Sequence, residues 1–303
     1  MAENNFDRKH GPLPLSYLYV PGNAAAKLAK VRTRGTGAVI VDLEDGVAAG
    51  RKAEARAVVA DWLATVADDE GGLRGPEIWV RINTGEAGLA DISAIFCPAL
   101  AGVCVPKVSA PEDLGLARAR LHYLQTTARR SHAPMLMPLI ETARGLLAAA
   151  EIARADGVAR LQLGEVDLGA ELGVERSTDA AGFLLARSQV VLASAAAGID
   201  PPVGPVSVDF DDLDQFRAST LALKRLGFRS RACVHPAQVT VVNEVFAPTD
   251  AEVQRARDLV QASDEAVAAG TGVWRGPQGT MVDEAVVRAA RRLLHEQGFA
   301  GGA

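Results

Sequence analysis

Cysteine is scarce in this chain of 303 residues. It has three, Cys97, Cys104 and Cys233, odd in number and without C-x-x-C spacing. That argues against a disulfide framework or a thiolate zinc site and fits reduced core thiols in a cytosolic protein. The five histidines form neither an H-x-H nor an H-E-x-x-H pair, so a histidine metal centre is not indicated. No run reaches the roughly 18 apolar residues that a membrane-spanning helix needs. The opening "MAENNFDRKHG" is polar, so a secretory leader is not expected and a cytoplasmic location is. A basic stripe is missing as well: 32 basic and 37 acidic residues are interspersed, for a net charge of −5. Nucleic acid and anionic membrane are therefore not expected as partners. P-loop and G-x-S-x-G patterns are absent. The G-x-G of "RGTGAVI", from Arg34, precedes a strand pattern instead of opening a helix, so it reads as a turn.

What is present is apolar residue, 49% of the chain, enough for a sizeable core. The length suits one large α/β domain or two smaller ones. Short runs rich in Val, Ile and Leu recur, beginning at Ser16, Gly37, Glu77, Gly102, Met135, Arg160, Pro202 and Phe228. They are near-continuous apolar stretches, as expected of parallel strands buried on both faces. Helix patterns lie between them at 23–34, 51–67, 85–96, 111–130, 142–156, 181–198, 213–226 and 238–246. Eight strands, each followed by a helix, predict a (β/α)8 TIM barrel, with an open doubly wound sheet as the alternative. The expected division is a tail at 1–14, a barrel at 15–247 and a C-terminal helical extension at 248–303. The extension carries helix patterns at 248–270 and 283–297 around the Gly-rich "TGVWRGPQGTMVD".

In such a barrel the chemistry sits at the C-terminal strand ends. Those ends carry Asp42, Glu44 and Asp45, then Arg81 and Asn83, Lys107, Glu141, Glu165 and Asp167, Asp209, and His235. Each residue has a plain structural alternative. Glu141 could serve the start of the helix after it, and Asp167 could be an N-cap. Arg81 and Lys107 could be strand-end charges, and His235 before a proline could be structural. Together they say more. Carboxylates on adjacent strands lie about 5 Å apart and repel unless a proton or cation intervenes. Without thiolate or histidine pairs nearby, an all-oxygen site favours Mg2+ over zinc. Arg81 and Lys107 suit a carboxylate or enolate substrate. The residues alone thus suggest a Mg2+-dependent barrel enzyme for a small anionic oxo or hydroxy acid.

The ordered series "LYVPGNAAAKLAK", "VIVDLEDGVAAGRKAEAR", "VRINT", "GVCVPKV", "PLIETARG", "LQLGEVDLGAELG", "GFRSRACVHPAQVTVVNEVFAPT" and "GTMVDEAVVRAARRLL" resembles the citrate lyase β-subunit-like (CitE-like) group of the HpcH/HpaI aldolase family. That group includes malyl-CoA and citramalyl-CoA lyases. The resemblance covers about Leu15 to Leu294. It implies Glu141, of "ETARG", and Asp167, at the Asp of the family's "GAED", as Mg2+ ligands. It implies Arg81 on the thioester oxygen or keto-acid carboxylate, with Glu44 and Asp45 lining the metal site. Asp283, of the late "MxD" motif, would be an acid/base reaching a neighbouring subunit, in a homotrimer or a multiple of it. Lys27 and Lys30 would lie near the nucleotide end of coenzyme A. The implied reaction is carbon–carbon cleavage of a 3-hydroxyacyl-CoA dicarboxylate to an acyl-CoA and a 2-oxo acid. The alternative is a citrate lyase β subunit that acts on citryl-acyl carrier protein to give oxaloacetate. Two departures stand out. "GAED" is "GEVD" here, so Glu165 and Val166 replace Ala and Glu. Basic residues near the first helix are thinned by Ala24–Ala26.

Overall fold

A computed structural model of the chain describes residues 13–68, 75–130, 134–174, 181–268, 274–275 and 281–296. They fall in two compact units, one spanning Pro14–Phe246 and the other containing the described residues from Ala247 onward. The first unit is a closed barrel of eight parallel strands in sequence order. The strands are β1 (Ser16–Pro21), β2 (Ala38–Asp42), β3 (Glu77–Arg81), β4 (Leu100–Val105), β5 (Met135–Ile140), β6 (Gln162–Leu163), β7 (Val203–Gly204) and β8 (Ser230–Cys233). The surrounding helices are α1 (Ala25–Val31), α2 (Lys52–Asp68), α3 (Gly85–Ile95), α4 (Gly115–Thr127), α5 (Ala143–Leu147), α6 (Ala149–Ala153), α7 (Glu165–Leu172), α8 (Leu184–Ala197), α9 (Leu213–Leu226) and α10 (Pro236–Phe246).

Strand periodicity divides the core in two. Inside the barrel pack Tyr17, Ala38, Ile40, Trp79, Cys104, Met137 and Leu139. The residues between them, among them Leu18, Val39, Val41, Ile78, Val80 and Val103, face the helices. Burial of each large apolar side chain contributes roughly 1.5–3 kcal/mol. Because the period is two, Asp42, Arg81 and Glu141 share the inward parity of Ile40, Trp79 and Leu139. Asp42 and Arg81 are also paired in register across β2 and β3. The barrel therefore delivers these three polar groups, one step above a sealed apolar layer, to its C-terminal mouth.

Several sequence expectations shift. The helix expected at 142–156 is broken at Ala148 into α5 and α6. The strand expected through "GEVD" stops at Leu163, and Glu165 and Asp167 lie in the first turn of α7. The seventh strand is only Val203–Gly204, so Asp209 lies in a loop, where its Oδ1 accepts from the Asp211 amide at 3.1 Å.

The second unit pairs α11 (Asp250–Ala268) with α12 (Glu284–Glu296) and contains a two-stranded sheet, β9 (Trp274–Arg275) with β10 (Met281–Val282). Arg291 on α12 binds Asp264 on α11 at 2.9 Å. Among the described residues no helix is long and apolar enough to cross a membrane.

Candidate active site

The mouth is organised around a buried ion-pair lattice. Asp42 receives Arg81 in a two-pronged grip, Nε to Oδ1 at 2.8 Å and Nη2 to Oδ2 at 2.6 Å. The backbone amides of Glu44 and Gly46 also donate to Asp42, at 2.9 and 2.8 Å. A Cβ on Gly46 would fall 2.3 Å from Asp42 Oδ2, so the close turn after β2 requires glycine. Glu44 bridges two cations, with Arg81 Nη1 at 3.2 Å and Lys107 Nζ at 2.6 Å. Asp45, more than half exposed, stands 3.7 Å from Lys107. Burial works against the charge on Arg81, but its hydrogen bonds to and charge pairing with Asp42 outweigh that and raise its pKa. From below, the Tyr19 ring faces the guanidinium at 5.3 Å. The Tyr19 hydroxyl is held by Gln162 Nε2 at 3.0 Å.

Glu141 follows β5 directly and is 3% exposed. It is not the cap of the next helix: Thr142 takes that part, its Oγ1 accepting from the Gly145 amide at 3.0 Å. Glu141 Oε1 accepts instead from the Lys107 amide at 2.7 Å. Burial pushes the Glu141 carboxyl up to about 8; the Lys107 amide opposes this, and a hydrogen bond and like charge from Asp167 add to it. A Cβ on Gly164 would lie 2.9 Å from Glu141 Oε2, so "GEVD" needs its glycine for the carboxylate to approach. Asp167 is not an N-cap either, since the cap position of α7 is Gly164.

A cavity of about 780 Å3 opens over these groups. Arg81, Glu141 and Asp167 line it, together with Lys27, Lys30 and Arg34 from the first βα segment, Asp45, Val166 and His235. The structure thus brings Arg81, Asp45, Lys27, Lys30, Glu141 and Asp167 to one space, with Glu44 just behind Arg81. His235 adds its ring to the rim, stacked on Phe210 with centroids 5.4 Å apart. Asn83 turns away to Asp91 and the Leu43 carbonyl. Glu165 turns away to Arg187. Asp283 belongs to the second unit, where Oδ1 accepts from the amides of Ala285 and Val286 at 3.0 and 3.1 Å and caps α12. Asp42 is the acid of this site that the sequence left without a role; its parity with Ala38 and Ile40 was the available signal.

Among the described residues no set of three or more His, Cys, Asp or Glu gathers as a metal cage. Two hard carboxylates that line one cavity, Glu141 and Asp167, still suit Mg2+. That ion commonly takes one or two protein carboxylates and completes its shell with water and substrate oxygens. A cation between them would offset both the burial that chiefly raises Glu141 and the like charge of Asp167 that adds to it.

Fold and site define a class: a (β/α)8 barrel whose C-terminal mouth pairs two carboxylates with an anchored arginine. The chain belongs to the HpcH/HpaI aldolase/citrate lyase family, whose model matches residues 15–236. A citrate lyase subunit beta-like protein of Deinococcus radiodurans is 34% identical over 93% of this chain and 96% of its own length. The mitochondrial citramalyl-CoA lyase of Mus musculus is 31% identical over 91% and 84%. The structure of CitE from Mycobacterium tuberculosis in complex with magnesium, acetoacetate and coenzyme A is similar at a TM-score of 0.73 and 29% identity. That match covers 96% of this chain and 99% of the other.

Proposed function

We propose that the chain is a Mg2+-dependent carbon–carbon lyase. It cleaves a 3-hydroxyacyl-CoA dicarboxylate of malyl-CoA, methylmalyl-CoA or citramalyl-CoA type to an acyl-CoA and a 2-oxo acid. The observation that carries this reading is the convergence of Glu141, Asp167 and Arg81 on one cavity. The names of the relatives agree with it, as do the magnesium and coenzyme A of the CitE complex.

Glu141 and Asp167 would hold the ion, which supplies Lewis-acid stabilisation of developing oxygen charge. Cleavage releases the 3-hydroxyl proton to solvent as that oxygen becomes the carbonyl of the 2-oxo acid, and breaks the bond between the hydroxyl-bearing carbon and the carbon next to the thioester. The bonding pair passes to the thioester as an enolate, whose carbon then takes up a proton. Arg81 binds and orients the charged oxygens. Asp42 fixes its fork, so little reorganisation is needed as charge moves. Glu44 and Lys107 hold the other side of that fork in place. Asp45 and Lys107 set the charge at the rim, and Lys27 and Lys30 offer cations to the phosphates of the coenzyme. Asp283 of a neighbouring subunit would deliver the proton to the enolate carbon, within the homotrimer, or multiple of one, that the family resemblance implies.

The test is a screen of malyl-, methylmalyl- and citramalyl-CoA with the purified chain, with and without Mg2+, reading acyl-CoA and oxo acid by mass spectrometry. Metal-dependent release of both products supports the reading. No cleavage of any thioester by folded protein at saturating Mg2+ overturns it. The citrate lyase β-like relative favours a second reading, action on citryl-acyl carrier protein to give oxaloacetate. Adding that substrate to the same screen separates the two.

A further inference from the structure

Glu165 follows Gly164 in the motif that supplies Asp167, yet it does not face the cavity. It receives Arg187, from α8, in a two-pronged ion pair with Nε–Oε1 at 2.6 Å and Nη2–Oε2 at 2.8 Å. The pair is largely shielded, with side chains 8% and 13% exposed. Successive helical residues are turned about 100° apart, so Glu165 and Asp167 project roughly oppositely from the first turn of α7. One grips α8; the other lines the cavity.

We infer that the Glu165–Arg187 pair is a positioning clamp. It fixes the rotation of α7 and so presents Asp167 to the ion held with Glu141. The inference rests on the metal-site reading above and concerns residues that do not themselves line the cavity.

Three observations support it. First, α7 has eight residues, too short to be rigid by itself. Its start is tied to β5 by one backbone bond, the Gly164 amide donating to the Ile140 carbonyl at 2.9 Å, and Gly173 ends it in a left-handed conformation. That bond fixes where the helix begins, and side-chain anchors are left to set its rotation. Leu168 is fully buried, and the Phe183 ring packs so closely on Gly169 that a Cβ there would meet it at 2.8 Å. These anchors hold the middle of the helix. The clamp holds the first turn, where Asp167 sits. Second, Asp167 is exposed, so packing around its own side chain cannot fix it. Third, a shielded ion pair is poor value for stability alone, because well-packed apolar residues often do as well or better. Its geometric yield is different: two parallel hydrogen bonds define both distance and rotation.

Metal binding tests this without reference to turnover. Mn2+, as a spectroscopic stand-in for Mg2+, is titrated by electron paramagnetic resonance into the full-length protein, and unfolding is followed in parallel. Glu141→Gln must lose Mn2+ binding; if it does not, or if the wild type binds none, the metal-site reading fails. With that established, the double variant Glu165→Leu/Arg187→Met removes both charges and leaves no buried ion alone. Groups bonded directly to metal ligands typically contribute 10–100-fold in affinity; the clamp acts on Asp167 through the helix, so the Mn2+ dissociation constant should rise by about tenfold, the lower end of that range, while the unfolding midpoint stays close to wild type. A constant within twofold of wild type overturns the clamp. Should the double variant not fold, Arg187→Lys keeps the charge and loses the fork. A rise of several-fold supports the clamp, and an unchanged constant overturns it.

Discussion

Lys107 donates its backbone amide to Glu141 Oε1 at 2.7 Å from a left-handed conformation, with φ at 57°. The same residue sends Nζ to Glu44 at 2.6 Å. One side chain and one unusual peptide thus tie the carboxylate that would hold metal to the acid that braces Arg81. A residue other than glycine costs roughly 1–2 kcal/mol in that region.

The usual ranking of small residues should therefore reverse here. Lys107→Gly and Lys107→Ala both remove the ammonium, but only glycine relieves the backbone. We expect the glycine variant to be about 1 kcal/mol more stable than the alanine variant by urea denaturation. An alanine variant as stable as the glycine one would mean that the left-handed turn carries no strain.

Arg81→Lys keeps a charge but cannot reproduce the grip on Asp42 while also facing the cavity. Turnover should fall by about tenfold or more, since one transition-state donor is typically worth a few kcal/mol. Asp42→Asn should be worse for the fold. It leaves a largely buried guanidinium facing a neutral amide, and breaking such a pair costs about 3–5 kcal/mol. Steady-state kinetics on the first variant and denaturation of the second check both. An Asp42→Asn protein as stable as wild type would mean that Glu44 alone balances Arg81.

Much of this was legible in the sequence. Near-continuous apolar runs, eight of them, marked parallel strands, and "PLIE" and "VRIN" put Glu141 and Arg81 at their ends. The role of Asp42 was not visible, because "VDLED" offers three acids of like chemistry. The spacing puts Asp42 in step with Ala38 and Ile40, but only the barrel shows that this step faces inward and that its register partner is Arg81. The start of α7 was hidden for a different reason. "LQLG" is apolar enough to continue a strand, and two paired residues leave no periodicity to read. The left-handed Lys107 has no local signature beyond the proline before it. The partner of Glu165 lies 22 residues away, beyond any spacing rule.

The shifted carboxyl of Glu141 gives a pH dependence with a definite sign. Its folded pKa, about 8, lies above the ordinary carboxylate value. The folded apoprotein therefore holds a proton that the unfolded chain has already released. That contribution is complete below the unfolded pKa and fades as pH rises through the folded one. Metal-free protein should melt at a lower temperature at pH 8.5 than at pH 6, and Glu141→Gln should flatten the difference. Mg2+ competes with the proton, so its stabilising shift should be larger at pH 8.5. Scanning fluorimetry at the two pH values, with and without Mg2+, reads both effects. An equal Mg2+ shift at both would remove Glu141 as a ligand.

Asp283 separates a local role from a shared one. Within its own unit it caps α12, and replacing such a cap by alanine costs about 1 kcal/mol. A cap alone predicts that Asp283→Ala is slightly less stable and nearly fully active. As the acid/base of a neighbouring subunit as well, it predicts the same small loss of stability in a protein that barely turns over, because the enolate carbon lacks its proton donor. Mixing then decides. Asp283→Ala and Glu141→Gln subunits, each inactive alone, are combined under conditions in which labelled subunits exchange. Some mixed oligomers then join an intact barrel to an intact Asp283, and activity should return toward a fraction of wild type set by the mixing ratio. Exchange without recovery, or a fully active monomer, would rule out the shared site and leave Asp283 as a helix cap.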